Sequence, residues 1–250
     1  NYIAGVNAGN SIASGGNYNV VVGDEAGTAL TTGDGNTFVG YAAGDATTTA
    51  PNNTAVGYQA LTANTTGDTN TAVGKDAMLA NTTGTNNTAL GTRTLQANTT
   101  SANNVAVGDL ALAANTTGSQ NVAIGRNALD ANTTASNNTA VGYASLTANT
   151  TGHSNTAVGK SALAANTEGT YNVAMGLESL DANTTGNSNT GIGTSSLSSN
   201  TTGSQNVGLG MGTLTANTTA ANNTAVGYNA LVANTTGAGN TSVGRLALDA

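Results

Sequence analysis

An Asn followed four positions later by Gly returns at every seventeenth position, from Asn19 and Gly23 through Asn36 and Gly40 to Asn240 and Gly244. Asn1 and Gly5 fit the same frame with one extra residue before Asn19, so about fifteen units fill the 250-residue chain. A fixed period of this length marks a repeat architecture, in which each unit buries its apolar side only against its neighbours. The supply of apolar side chains points the same way. Val, Leu, Ile and Phe together number 40 among 250 residues, below the roughly 20% at which a chain begins to look disordered. The net charge is only −7, so the high charge of a disordered chain is missing as well.

Asn53 to Thr69 is a typical unit, and its positions serve to number every coil. Position four is apolar throughout (Val56, Val73, Leu90, Ile124, Met175), position three is small from Ala55 onward (Ala55, Ala72, Gly191), and position nine is Leu or Met from Leu61 onward. Positions twelve to fifteen read Asn-Thr-Thr-Gly, as at Asn64 to Gly67. Position six takes Tyr58, Lys75, Asp109 and Leu177 alike, the tolerance of a solvent-facing site. A unit this short cannot hold a helical hairpin, and Gly, Asn and Thr are poor helix formers. Two short strands and two tight turns do fit. The expected fold is therefore all-β, a parallel β-solenoid whose coils stack about 4.8 Å apart. Fifteen coils at that spacing make a rod of about 70 Å. Asn53, Asn70, Asn87, Asn104 and Asn121 are expected to form an amide ladder. Gly57, Gly74 and Gly91 are expected where the chain bends and a Cβ would clash.

Strand parity, counted from a corner at Gly57, puts Val56 and Ala60 inside the coil and Leu61 outside. Leu61, Met78, Leu95, Leu112, Leu129, Leu146 and Leu163 would then form a long exposed apolar stripe. A soluble monomer rarely shows one, and a homotrimer would cover it. The competing expectation is that Leu61 fills a wider monomeric coil. Two segments are distinguished: residues 1–51, where Gly27 and Gly44 replace the Leu of position nine, and residues 52–250, where the repeat is regular. Tyr58, Tyr143 and Tyr228 recur five coils apart, each followed one coil later by Lys75, Lys160 or Arg245, a sign of five-coil block duplication.

Units such as Asn53 to Leu61 and Asn121 to Gly125 resemble the head repeats of YadA-like trimeric autotransporter adhesins. The longer pattern that ends in Asn-Thr-Thr-Gly is similar to repeats of bacteriophage tail-fibre proteins, including those of marine and cyanobacterial phages. The resemblance covers nearly the whole chain. It implies a left-handed parallel β-roll, an intertwined or side-by-side homotrimer, and an extracellular place in a virion tail fibre. There the chain would be a shaft segment that extends or presents a host-binding element. The alternatives are a bacterial trimeric adhesin head at the cell surface and an ice-binding β-solenoid. The adhesin repeat is shorter, so this chain departs from it in the second turn.

Other chemistries find little material. Five Lys or Arg residues cannot neutralise a phosphate backbone, which excludes nucleic acid as an expected partner. No stretch has the roughly 20 apolar residues of a membrane span. Zero cysteine removes disulfides and thiolate metal sites. His153 is the single histidine, without a second ligand of its kind. Asp24, Glu25 and Asp34 are the one early group of acids that a turn could gather. Gly208 to Gly212 imitates a phosphate loop but is the repeat's own glycine column. Asn64, Asn81 and Asn98 begin glycosylation-type triplets, stacked too closely to carry glycans together. No enzyme activity, cofactor or metal is expected. Tyr58, Tyr143 and Tyr228 are the candidate surface contacts, with a host glycan or protein as partner. Thr65, Thr82, Thr99 and Thr116 are the rank an ice-binding reading would use.

Overall fold

A computed structural model describes residues 1–249. Each coil contributes one three-residue strand at positions two to four. Residues 1–121 form one compact unit, and a second begins at Val122. The first unit holds β1 (Tyr2–Ala4), β2 (Val20–Val22), β3 (Thr37–Val39), β4 (Thr54–Val56), β5 (Thr71–Val73), β6 (Thr88–Leu90) and β7 (Val105–Val107). The second holds β8 (Val122–Ile124), β9 (Thr139–Val141), β10 (Thr156–Val158), β11 (Val173–Met175), β12 (Thr190–Ile192), β13 (Val207–Leu209), β14 (Thr224–Val226) and β15 (Thr241–Val243). Within each unit successive strands pair in parallel, like over like: Thr54 with Thr71, Ala55 with Ala72, Val56 with Val73. No helix occurs among the described residues. The fold is a β-solenoid.

The second strand expected in each coil is replaced by consecutive turns. Gln59 and Leu61 both take a left-handed backbone, with φ of 54° and 56°. Equivalent residues do the same in later coils, including Asp76 and Met78, then Arg93 and Leu95. The turn backbone still bonds to the next coil: Leu61 N–H donates to Ala77 O at 2.9 Å, and Thr65 N–H donates to Thr82 O at 2.9 Å. Coil-to-coil bonding thus continues outside the strands, although the conformation there is not extended.

Two left-handed residues so close together also break the parity count, and this corrects the assignment of faces. Leu61, Met78, Leu95, Leu112, Leu129, Leu146 and Leu163 are all 0% exposed. They fill the coil and form no outward stripe. Ala55 and Ala60 are buried beside them, whereas Val56 is half-buried and turned outward. In the strand the inward residues are Asn53 and Ala55, so Thr54 and Val56 face the other way.

The expected ladder is present. Asn70 N–H donates to Asn53 Oδ1 at 2.9 Å. The pattern continues at 3.0 Å through Asn87, Asn104 and Asn121, each to the Asn one coil earlier. The amide group is satisfied too, since Asn70 Nδ2 donates to Gly84 O at 2.8 Å. A second buried ladder runs through the turn: Asn81 Nδ2 donates to Asn64 Oδ1 at 2.9 Å, and Asn98 Nδ2 to Asn81 Oδ1 at 2.7 Å. Each such bond contributes about 0.5–1.5 kcal/mol net, and leaving one buried partner unmade costs about 1–3 kcal/mol. The ladders flank the apolar file and set the register that stacks it.

Gly57 is required by its conformation. Its φ is +140°, and a Cβ there would lie 2.5 Å from Gly74 O. Gly74 and Gly91 repeat the arrangement. Near the N-terminus the scaffold is unchanged but its filling differs. Phe38 is fully buried at position three and occupies the room left by Gly44, whose added Cβ would fall 2.6 Å from the ring. Leu30 replaces the ladder Asn of position twelve and is also buried. The sequence change near residue 51 is therefore a change of core packing.

Candidate functional site

Two surfaces on the coil exterior carry chemistry. The first is the strand face. Position four supplies an apolar file that includes Val39, Val56, Val73, Leu90 and Val107 in the first unit. In the second it includes Ile124, Val141, Val158, Met175, Ile192, Leu209 and Val226. Beside it runs a Thr/Val file at position two. No Asp, Glu, Lys or Arg lies in any of these strands. Leu90 is 47% exposed, and Ile124, Met175 and Ile192 are each 40% exposed. Both files are regular because the backbone register is, and their members extend beyond it. The apolar stripe expected at position nine is therefore absent from the surface, and the partly exposed apolar file is the one at position four, which was expected inside.

The second surface is the corner after the glycine, at positions six and seven. Tyr41 and Tyr58 stack with ring centroids 5.3 Å apart and planes 19° from parallel. The Lys75 ammonium lies 5.9 Å from the Tyr58 centroid. Tyr58 therefore has a ring neighbour from the coil before and a cation from the coil after, yet it remains about half exposed. Tyr228 is covered in the same way by the Arg245 guanidinium, 5.6 Å from its centroid. Tyr143 is half exposed at the equivalent position. Lys75 also reaches Asp76 at 3.9 Å, and Arg93 reaches Asp109 at 3.6 Å. Tyr41 was missed by sequence reasoning, because it falls outside the five-coil recurrence that drew attention to the other three.

The remaining candidates separate. Asp24 Oδ1 accepts Val6 N–H at 3.0 Å, and Asp34 Oδ1 accepts Asn17 N–H at 2.6 Å. The early acids are therefore divided between different backbone segments, and no group of three metal-type ligands occurs among the described residues. The His153 ring lies edge-on to Tyr171, centroids 5.2 Å apart, with Nδ1 3.3 Å from Ser154 Oγ. Gly208 belongs to β13, and Gly210 is a corner glycine packed on Gly227 O. Asn64, Asn81 and Asn98 are buried in the second ladder, which leaves no room for a glycan. Thr65 and Thr82 spend their hydroxyl protons internally, on Thr82 O at 3.0 Å and Thr99 O at 3.1 Å.

Asp181 is the one carboxylate with a buried oxygen lacking a hydrogen-bond partner among the described residues. Burial, then the nearby Glu178 charge, raise its pKa above the usual carboxylate range, against backbone hydrogen bonds that lower it. Burial and Glu25 likewise raise Asp45.

The fold and these surfaces define a repeat protein of the β-solenoid class with an uncharged strand face and an aromatic, charged corner. No family model matches the chain, and neither does any curated protein or solved structure.

Proposed function

We propose that the chain is a structural segment of an extracellular fibre, of the phage tail-fibre kind, that assembles as a homotrimer and presents a host-binding element. The observation that supports this reading is the strand face: an apolar file without a single charge, exposed on a fold whose interior is already filled. Burying apolar area contributes about 25 cal/mol per Å², so one half-exposed Val offers well under 1 kcal/mol. Association costs at least about 4 kcal/mol in lost freedom. One coil is insufficient, and several coils in register are required. Repetition is what makes the file useful.

A bacterial adhesin of the same architecture shares this assembly and differs in whether the rod itself binds host material. The ice-binding reading has less support. The Thr rank of position thirteen donates its protons within the rod, and Leu90, Met175 and Leu209 interrupt the uniformity of the strand face.

Light scattering coupled to size exclusion tests the proposal. The wild-type chain is expected at three times its chain mass. Val141→Asp together with Val158→Asp should shift it to one, and Lys160→Asp should leave it unchanged. A folded wild-type monomer at working concentration would end the trimer reading.

A further inference from the structure

In a chain that repeats this strictly, a residue that breaks its column is under some demand other than stacking. Three columns break together at one turn of the second unit. Position fourteen is Thr in every coil from Thr66 to Thr236 except at Glu168. Position seventeen carries Asn, Gln, Thr or Ser from Thr69 to Asn222 except at Tyr171. Position sixteen of the preceding coil is His153, the single histidine. Glu168 and Tyr171 are both exposed, and Tyr171, at 60%, is more exposed than any tyrosine of the position-six corner.

The surroundings hold the Tyr171 ring and keep it open. Its backbone is left-handed, with φ of 58°, a conformation that Asn tolerates and a bulky side chain seldom adopts. The His153 ring stands edge-on to it, centroids 5.2 Å apart. Its neighbours in its own column are Ser154 and Ser188, the only serines there, where most other coils carry Asn or Gln. On the following coil Asn187 is exposed. Its Oδ1 accepts the Thr170 N–H at 2.7 Å and the Thr170 hydroxyl at 2.9 Å, so its Nδ2 is left to donate outward. One turn thus offers an open aromatic ring, a carboxylate acceptor and an amide donor. A sugar presents the matching set: an apolar ring face for the aromatic, and hydroxyls that both donate and accept.

We propose that Tyr171, with Glu168 and Asn187 on the same turn, binds a neutral saccharide unit of a glycan. The Glu168 carboxylate and the net charge of −7 disfavour an acidic sugar. One chain supplies every residue of the site, so it does not depend on the assembly reading.

The test is an NMR titration of the whole chain with two neutral hexasaccharides, cellohexaose and maltohexaose, and with the acidic sialyllactose. Saturable binding of a neutral hexasaccharide is expected, kept in Tyr171→Phe and weakened about tenfold or more in Tyr171→Asn. Glu168→Thr should weaken it about two- to fivefold, as for one exposed charge-assisted hydrogen bond. Tyr171→Asn and Glu168→Thr restore the residues that the repeat uses elsewhere, so neither threatens the fold. Tyr58→Ala should bind as wild type. The proposal is overturned by absence of saturation with both neutral probes, by tighter binding of sialyllactose, by equal binding in Tyr171→Asn, or by loss in Tyr58→Ala. Light scattering on Tyr171→Asn should give the wild-type mass, and a changed mass would place Tyr171 between copies and overturn the site. A wild-type monomer that still binds the hexasaccharide would end the assembly reading alone.

Discussion

Leu146→Ala separates an inward from an outward ninth column. Leu146 is 0% exposed, and so are Leu129 and Leu163 at the same position in neighbouring coils. Removing a buried Leu side chain costs about 2–5 kcal/mol, with the larger losses where the site cannot collapse. Here collapse is restrained. The Leu146 N–H is held by Ala162 O at 3.0 Å, and Asn149 Nδ2 is held by Asn132 Oδ1 and Gly152 O at 3.0 and 2.9 Å. The expected loss is therefore about 3–4 kcal/mol, in the upper part of that range. It should be local, because a solenoid is stabilised by nearest-neighbour contacts. Native-state hydrogen exchange should show faster exchange at the amides of Leu146 and Ala131, with residues several coils away protected as before. Mass in solution should stay that of the wild type wherever the protein remains folded. Were Leu146 an outward contact instead, the substitution would change the assembly and leave local protection intact. That result would refute the placement of the core.

The two glycine columns should respond differently to a methyl group. Gly142→Ala forces a side chain into φ +136° and onto Gly159 O at 2.5 Å, with an expected loss of about 3 kcal/mol or more in urea unfolding. Gly152→Ala should be far milder, since Ala135 and Ala220 already occupy the equivalent position in other coils; a loss as large as that of Gly142→Ala would contradict this. Asp181 has a folded pKa raised from 3.8, first by burial, so the folded form binds its proton more tightly than the unfolded chain. Its contribution is fully favourable below the unfolded value and is lost as pH rises through the folded one. Asp181→Asn should accordingly raise the melting temperature at pH 7, and the advantage should disappear toward pH 3. An advantage independent of pH would show that charge is not the cause.

The regular spacing of Asn and Gly was enough to read the architecture from the chain. A side chain that recurs at one fixed interval, as Asn53, Asn70 and Asn87 do, can form a file only if coils stack in register, and Asn in such a file has both a donor and an acceptor for its neighbours. Gly57 and its equivalents were legible for a similar reason, since few conformations explain a column that admits no side chain. The aromatic corner was half legible: Tyr58 stood out by recurrence, while its pairing with Tyr41 depended on where the frame of the coil placed two unlike neighbours.

The one thing periodicity left undecided was direction. Whether Val56 or Leu61 faces the interior depends on the sign of φ at Gln59 and Leu61, and no residue type at those positions demands a left-handed backbone. Only the closed coil decides it. The chain must return to its starting point within a single repeat while two Asn ladders remain hydrogen-bonded, and that closure turns the larger side chain inward. The repeat thus determined which residues form continuous files, and the folded ring determined which of those files is core and which is surface.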